Sequence, residues 1–133
     1  MNYLLDTHTL LWYLNDDPLL SAYSKTLIEN PDHTITASIA SFWEMTIKHA
    51  LGKLRLETTI QEIYDATTAQ EISILPIEID HLTCLYSVPF HHRDPFDRLL
   101  IAQAMTEDLV MISKDQHLTQ YDIQLVWKEN DRN

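Results

Sequence analysis

Five short runs rich in β-forming residues, at 2–5, 34–37, 72–77, 109–112 and 123–127, alternate with stretches whose apolar residues recur at helical spacing. This alternation limits the fold more than any other feature. A strand that reaches the next strand through a helix joins it in parallel, and the crossover helices must then cover both faces of the sheet. The expected fold class is α/β, a three-layer α/β/α arrangement around a mostly parallel central sheet. Leu109-Val110-Met111-Ile112 is apolar throughout, as a strand buried on both faces should be.

The helical stretches have clear limits. Residues 7–14 form a first helix, Asn15-Asp16-Asp17-Pro18 turns the chain, and Leu19, Leu20, Tyr23, Leu27 and Ile28 make a second until Asn30-Pro31-Asp32 stops it. A third begins at Ser38 or Ser41, a fourth at Thr58 or Thr59, and a short fifth covers 79–86. The sixth starts at Pro95, where the missing N–H has no intrahelical partner to lose, with Asp94 as its cap. The 133 residues suit one domain, expected over 1–127 with a polar tail at 128–133.

Several function classes drop out. Gly52 is the only glycine, which removes the glycine-rich phosphate loop and the dinucleotide fingerprint. Cys84 is the only cysteine, so an intramolecular disulfide and cysteine-based zinc or iron–sulfur sites are excluded, and a reducing, cytoplasmic setting is expected. Neither a secretion signal nor a membrane span is apparent. The formal charge of −11 argues against broad attraction to nucleic acid, although it does not exclude a nuclease.

The acids carry the chemistry. Asp97, Leu100, Ile101 and Ala104 fall at i, i+3, i+4 and i+7, so a carboxylate heads a stripe that should face the core. Glu44 likewise shares a helical face with Ile47, Leu51 and Leu54. Asp6 and Asp115 follow strands, whereas Glu44 and Asp97 open helices. In an α/β fold these places meet at the carboxyl edge of the sheet, where ligands bind.

Each acid also has a plain structural role available: Asp6 and Asp115 as helix caps, Glu44 and Asp97 in capping-box positions, as in Ser41-x-x-Glu44. Together those roles would crowd like charges, unless a cation sits among them. Hard oxygen ligands select Mg²⁺ or Mn²⁺, and His8, His33, His49 and His81 are scattered, with no His-Glu-x-x-His pattern to compete. Metal-assisted phosphodiester hydrolysis is the chemistry such a set suits.

The set Leu4-Leu5-Asp6-Thr7, Ser41-x-x-Glu44, Asp94-Pro95-Phe96-Asp97-Arg98 with Ala102 and Ala104, and Ile112-Ser113-Lys114-Asp115 resembles the PIN-domain ribonucleases, especially the VapC-like toxins of bacterial toxin–antitoxin pairs. That resemblance spans nearly the whole chain. It implies Asp6, Glu44, Asp97 and Asp115 as metal-binding and catalytic acids, with Thr7, Ser41, Asp94, Arg98 and Ser113 as supporting or substrate-binding residues. Ser113 stands where the family often has Thr, and the hydroxyl is kept. Asp94 competes with Asp97 for the third ligand position, and its capping role before Pro95 favours Asp97. The resemblance further implies an RNA substrate, a cognate antitoxin and a homodimer.

Around the acids, His91, His92, Arg93, Arg98 and Lys114 are placed to hold RNA phosphates or to balance local charge. Lys48, His49, Lys53 and Arg55 read as a basic helix face leading away from the site or as an ordinary solvated face. Leu10 to Leu14 with Leu19, Leu20 and Tyr23 offer either core or a groove for a partner. Trp43, Phe42 and Cys84 read as packing residues. A haloacid-dehalogenase-like phosphatase would need an acid where His8 stands. A catalytically silent RNA- or protein-binding module on the same fold is the remaining alternative.

Overall fold

The computed structural model describes residues 1–90 and 94–129. Its elements are β1 (Asn2–Leu5), α1 (Thr7–Leu14), α2 (Ala22–Glu29), β2 (Thr34–Ser38), α3 (Ile39–Ala50), α4 (Ile60–Ala69), β3 (Ser73–Leu75), α5 (Ile79–Ser87), α6 (Pro95–Glu107), β4 (Val110–Ile112) and β5 (Leu125–Val126), with a short 3-10 turn, Gln116–Gln120, before β5. The strands form one sheet in the order β3-β2-β1-β4-β5, and every pairing is parallel. The mostly parallel sheet expected from the alternation is parallel throughout.

Each helix starts where a side chain can satisfy its free amides. Asp6 accepts from Thr9 N at 2.8 Å to open α1, Ser21 accepts from Ser24 N to open α2, and Thr59 accepts from Glu62 N to open α4. Ser38, not Ser41, caps α3, accepting from Ala40 N at 3.0 Å. Gly52, at φ +71°, takes the chain out of α3 in the left-handed conformation that glycine adopts without strain. Asp94 caps α6 with Pro95 in its first turn, as the sequence predicts.

Strand alternation sorts the core into two layers. Tyr3 and Leu5 point into a cluster with Ile35, Ala37, Ile112, Phe42 and Met45, which α1 to α4 cover. Leu4 and Met111 point the other way, against Leu100, Ile101 and Ala104 of α6. The large buried apolar side chains among these, Leu, Ile, Phe and Met, each contribute roughly 1.5–3 kcal/mol. The sheet is thus sealed on both faces, and its polar business is confined to its edges.

Two strands are shorter than their β-forming runs. Pro76 lacks the N–H that would continue β3. Beyond β5, the Trp127 carbonyl turns from the ladder to accept hydroxyls of Ser21 and Ser24. The 3-10 turn after Asp115 was not apparent in the apolar pattern. Among the described residues, no helix is long and apolar enough to cross a membrane.

Candidate functional site

Register brings three chain segments to one edge. Leu5 pairs with Ala37 on one side and Ile112 on the other, so Asp6, Ser38 and Ser113 leave adjacent strands at the same level. One Asp6 carboxylate oxygen caps α1, and the other accepts the Ser113 hydroxyl. Burial pushes the Asp6 carboxyl up, against the opposing pull of its bonds from Ser113 and Thr9. Ser113 Oγ also accepts from Asp115 N at 3.1 Å, so one hydroxyl links the acids that follow β1 and β4.

Glu44 is 3% exposed, deep in the second turn of α3. Thr7 Oγ1 donates to its Oε1 at 2.6 Å and lies 3.0 Å from Ser41 Oγ. With Ser38 as cap, the Ser41-x-x-Glu44 spacing forms no capping box, and both side chains turn inward from the helix. Ile47 and Leu51, expected to share the buried face of Glu44, are exposed. Here the carboxylate is buried and the apolar residues are outside.

Lys48 corrects another expectation. Read as part of a face leading away, it instead places Nζ 2.5 Å from Glu44 Oε2 and 2.9 Å from Asp94 Oδ2. The i, i+4 spacing of Glu44 and Lys48 was the available signal. Of the other members of that basic group, Arg55 pairs with Glu57, and the His49 ring meets the Leu54 carbonyl.

Asp94 and Asp97 divide the work at the start of α6. Asp94 Oδ1 accepts from Phe96 N at 2.8 Å and Asp97 N at 3.2 Å, and its Oδ2 accepts from Lys48. Burial pushes the Asp94 carboxyl up, but Lys48 and the two amides outweigh it and hold it below its usual range. Asp97 is the opposite case. Burial first, and then the negative charges of Asp94, Glu44 and Asp6, push its carboxyl up to about 7. Asp115 stands on the outer side of Asp6, caps the 3-10 turn through His117 N, and shares with Asp6, His8, Trp12 and Lys114 a depression of about 240 Å³.

Arg98 does not face this cleft as a phosphate ligand. It is 9% exposed, donates to the Val88 carbonyl at 2.6 Å, and its guanidinium lies 3.8 Å from the Phe90 ring centre, so it secures the segment before α6. Lys114 is exposed, 6.0 Å from the Trp12 ring centre. His91, His92 and Arg93 lie outside the described residues. Phe42 is buried as expected, whereas Trp43 is half exposed and meets Phe96 edge-on, and Cys84 is only half-buried. In the first hairpin Leu10, Leu11 and Leu20 belong to the core, Trp12, Tyr13, Leu14 and Tyr23 are half-buried, and Leu19 is exposed.

A second polar cluster lies at the far end of α6, about 15 Å along the helix from Asp97. Glu78, His81 and Glu107 bring ligand atoms within 4.8 Å of one another, so His81 is not an isolated histidine as expected from its sequence position. Its chemistry is nonetheless structural. The Glu78 amide donates to His81 Nδ1 at 3.0 Å and makes that nitrogen an acceptor. Nε2 therefore carries the proton of the neutral ring, and it faces Glu107 Oε2 at 2.9 Å. A metal ion at Nε2 would need the tautomer that the backbone amide opposes.

The edge cleft fits a hard divalent cation better. Its donors are carboxylate oxygens, and Asp97 carries the electrostatic load that a cation would relieve.

The PIN domain family matches the chain over residues 3–124. No curated protein sequence matches it. Similar folds occur in the structure of VapBC2 from Rickettsia felis bound to a DNA fragment from its promoter (TM-score 0.71, 15% identity, 95% of this chain and 98% of that one). VapBC-1 from nontypeable Haemophilus influenzae is similar at a TM-score of 0.63 and 20% identity, over 95% of this chain and 97% of the other. VapBC-5 from Mycobacterium tuberculosis, from a family of toxin–antitoxin systems, follows at 0.59 and 14%, over 96% and 98%. At such identities the likeness is one of fold.

Proposed function

The chain belongs to the PIN-domain family, and from that premise we propose that its acidic cleft is the active centre of a metal-dependent endoribonuclease, the toxin of a toxin–antitoxin pair. One observation carries the reading. Parallel register brings Asp6 and Ser113 to one level, Thr7 ties Glu44 to the start of α1, and Lys48 ties Glu44 to Asp94 at the start of α6. Acids from β1, α3 and α6 thus gather at the carboxyl edge of the sheet, and the raised Asp97 carboxyl agrees with that crowding.

In this reading Asp6, Glu44 and Asp97 hold Mg²⁺ or Mn²⁺, with Asp115 completing the set from the outer side. When bound, the ion supplies Lewis acidity toward the phosphodiester and its attacking water. The remaining work belongs to the chain. Thr7 fixes one oxygen of Glu44 and Lys48 the other, Ser41 backs Thr7, and Ser113 fixes Asp6. Asp94, with both oxygens committed to amides and Lys48, builds the helix start that aims Asp97. That division supports Asp97 over Asp94 as the third ligand.

The partners follow from the same premise. The VapBC names of the similar structures support a cognate antitoxin. An outward stripe on α3, Ile39, Trp43, Ile47 and Leu51, supports a homodimer.

The deciding experiment compares the protein with Asp97→Asn on a pool of structured RNAs, with Mg²⁺ or Mn²⁺ and then with chelator. Cleavage is expected only with metal and intact Asp97, and the variant should lose about 10³-fold or more while still melting cooperatively. Equal cleavage by both proteins would remove Asp97 from the ligand set. RNA left whole by both would turn the reading to a silent binding module.

A further inference from the structure

We propose that Lys48 is a resident counter-charge of the acidic cleft, clamping Glu44 to Asp94 so that the cleft takes up one divalent cation and not two. This rests on the metal-centre reading above and addresses the number of ions, which that reading leaves open.

The ammonium joins carboxylates from separate elements. Glu44 lies one turn before Lys48 on α3, Asp94 caps α6, and Nζ is 2.5 Å from the first and 2.9 Å from the second. The side chain is held at its tip and mostly withdrawn from solvent: it is 27% exposed, its Nζ lies 5.9 Å from the Phe96 ring centre, and Trp43 closes on that ring at 4.9 Å. A long cation packed in this way behaves as part of the site wall and not as a mobile surface charge.

Two ions serving one phosphodiester stand about 3.5–4 Å apart and need carboxylate oxygens to bridge them. On this side of the cleft Glu44 Oε1 accepts from Thr7 at 2.6 Å and Oε2 from Lys48, which leaves Glu44 able to hold one ion through Oε1 but not to bridge two. A second divalent ion would have to expel the ammonium or sit against it, and in a partly buried site that repulsion is weakly screened. Lys48 thus stands in for the second positive charge on the Glu44 Oε2 and Asp94 side, while one divalent ion is left to Glu44 Oε1, Asp6 and Asp97.

The test counts ions. Mn²⁺ is titrated into the full chain without RNA and followed by calorimetry and by paramagnetic resonance of the unbound ion, for the wild type, Lys48→Ala and Lys48→Arg. One Mn²⁺ is expected in the wild type and in Lys48→Arg, and two in Lys48→Ala. Two ions in the wild type, or one in Lys48→Ala with unchanged affinity, overturn the inference but leave the metal centre standing. No Mn²⁺ in any of the three overturns the metal centre as well. Circular dichroism reports whether Lys48→Ala folds, and if it does not, Lys48→Gln, which keeps a donor without the charge, decides in its place.

Discussion

The two ends of α6 treat buried polarity in opposite ways. At its C-terminal end His81 is fully buried, and the Glu78 amide, the Gln103 amide and Glu107 all meet its two nitrogens. At the N-terminal end Asp97 is withdrawn from water and faces the charges of Asp94, Glu44 and Asp6, and its carboxyl rises from 3.8 to about 7. The first arrangement pairs both nitrogens of the ring and holds α5 to α6. The second keeps a carboxyl out of water and among like charges, at a cost of roughly 2–4 kcal/mol. Where a structure retains that cost on an otherwise well-capped helix, the cluster serves something other than stability.

The largest test of the contrast is His81→Ala. It leaves the Glu78 amide without its acceptor, takes from Gln103 Nε2 one of the two groups it meets, the other being the Pro76 carbonyl, and opens a cavity, so urea unfolding should show a loss of about 3 kcal/mol. A loss below about 1 kcal/mol would break the comparison.

Asp97→Asn should act in the other direction. The folded carboxyl keeps its proton to about pH 7, whereas the unfolded one releases it near 3.8, so the folded state binds more protons in that window and loses stability as pH rises through it. Without divalent ions the variant should therefore be about 2 kcal/mol more stable than the wild type near pH 8, with the gain gone near pH 4. Thermal melts across that range measure it, and a variant that is less stable near pH 8 would contradict the assigned repulsion.

Glu107→Gln sharpens the contrast at the smallest scale. The glutamine still offers an oxygen to His81 Nε2, and Glu107 is 38% exposed, so the loss should stay below about 1 kcal/mol. A loss equal to that of His81→Ala would mean that the charge of Glu107, and not its oxygen alone, holds the ring.

Much of this was legible in sequence because it depends on local pattern. The strand and helix order follows from periodicity, and Asp6, Glu44, Asp97 and Asp115 could be placed at one edge because parallel topology leaves them no other. What escaped depends on contacts between segments distant in sequence. Lys48 and Arg98 were both read from their charge as surface or phosphate-binding groups. One turns inward because Asp94 waits 46 residues away, and the other because the Val88 carbonyl needs a donor. Glu44 was tied to the wrong neighbours for a related reason: the buried face of α3 is set by where Thr7 lies, and Ile47 and Leu51 fall on the other side. His81 could be seen only once α5 lay beside α6.

The all-parallel sheet also sets an order in time. No strand pairs with its successor through a hairpin, and β1 stays unpaired on one side until β4 arrives, joining Leu5 to Ile112. Asp6 precedes Ser113, whose hydroxyl fixes it, by 107 residues. Such distant pairings form late. During synthesis the site therefore stays incomplete until β4 and Ser113 have emerged, and a chain released before them carries most residues of the site without the site.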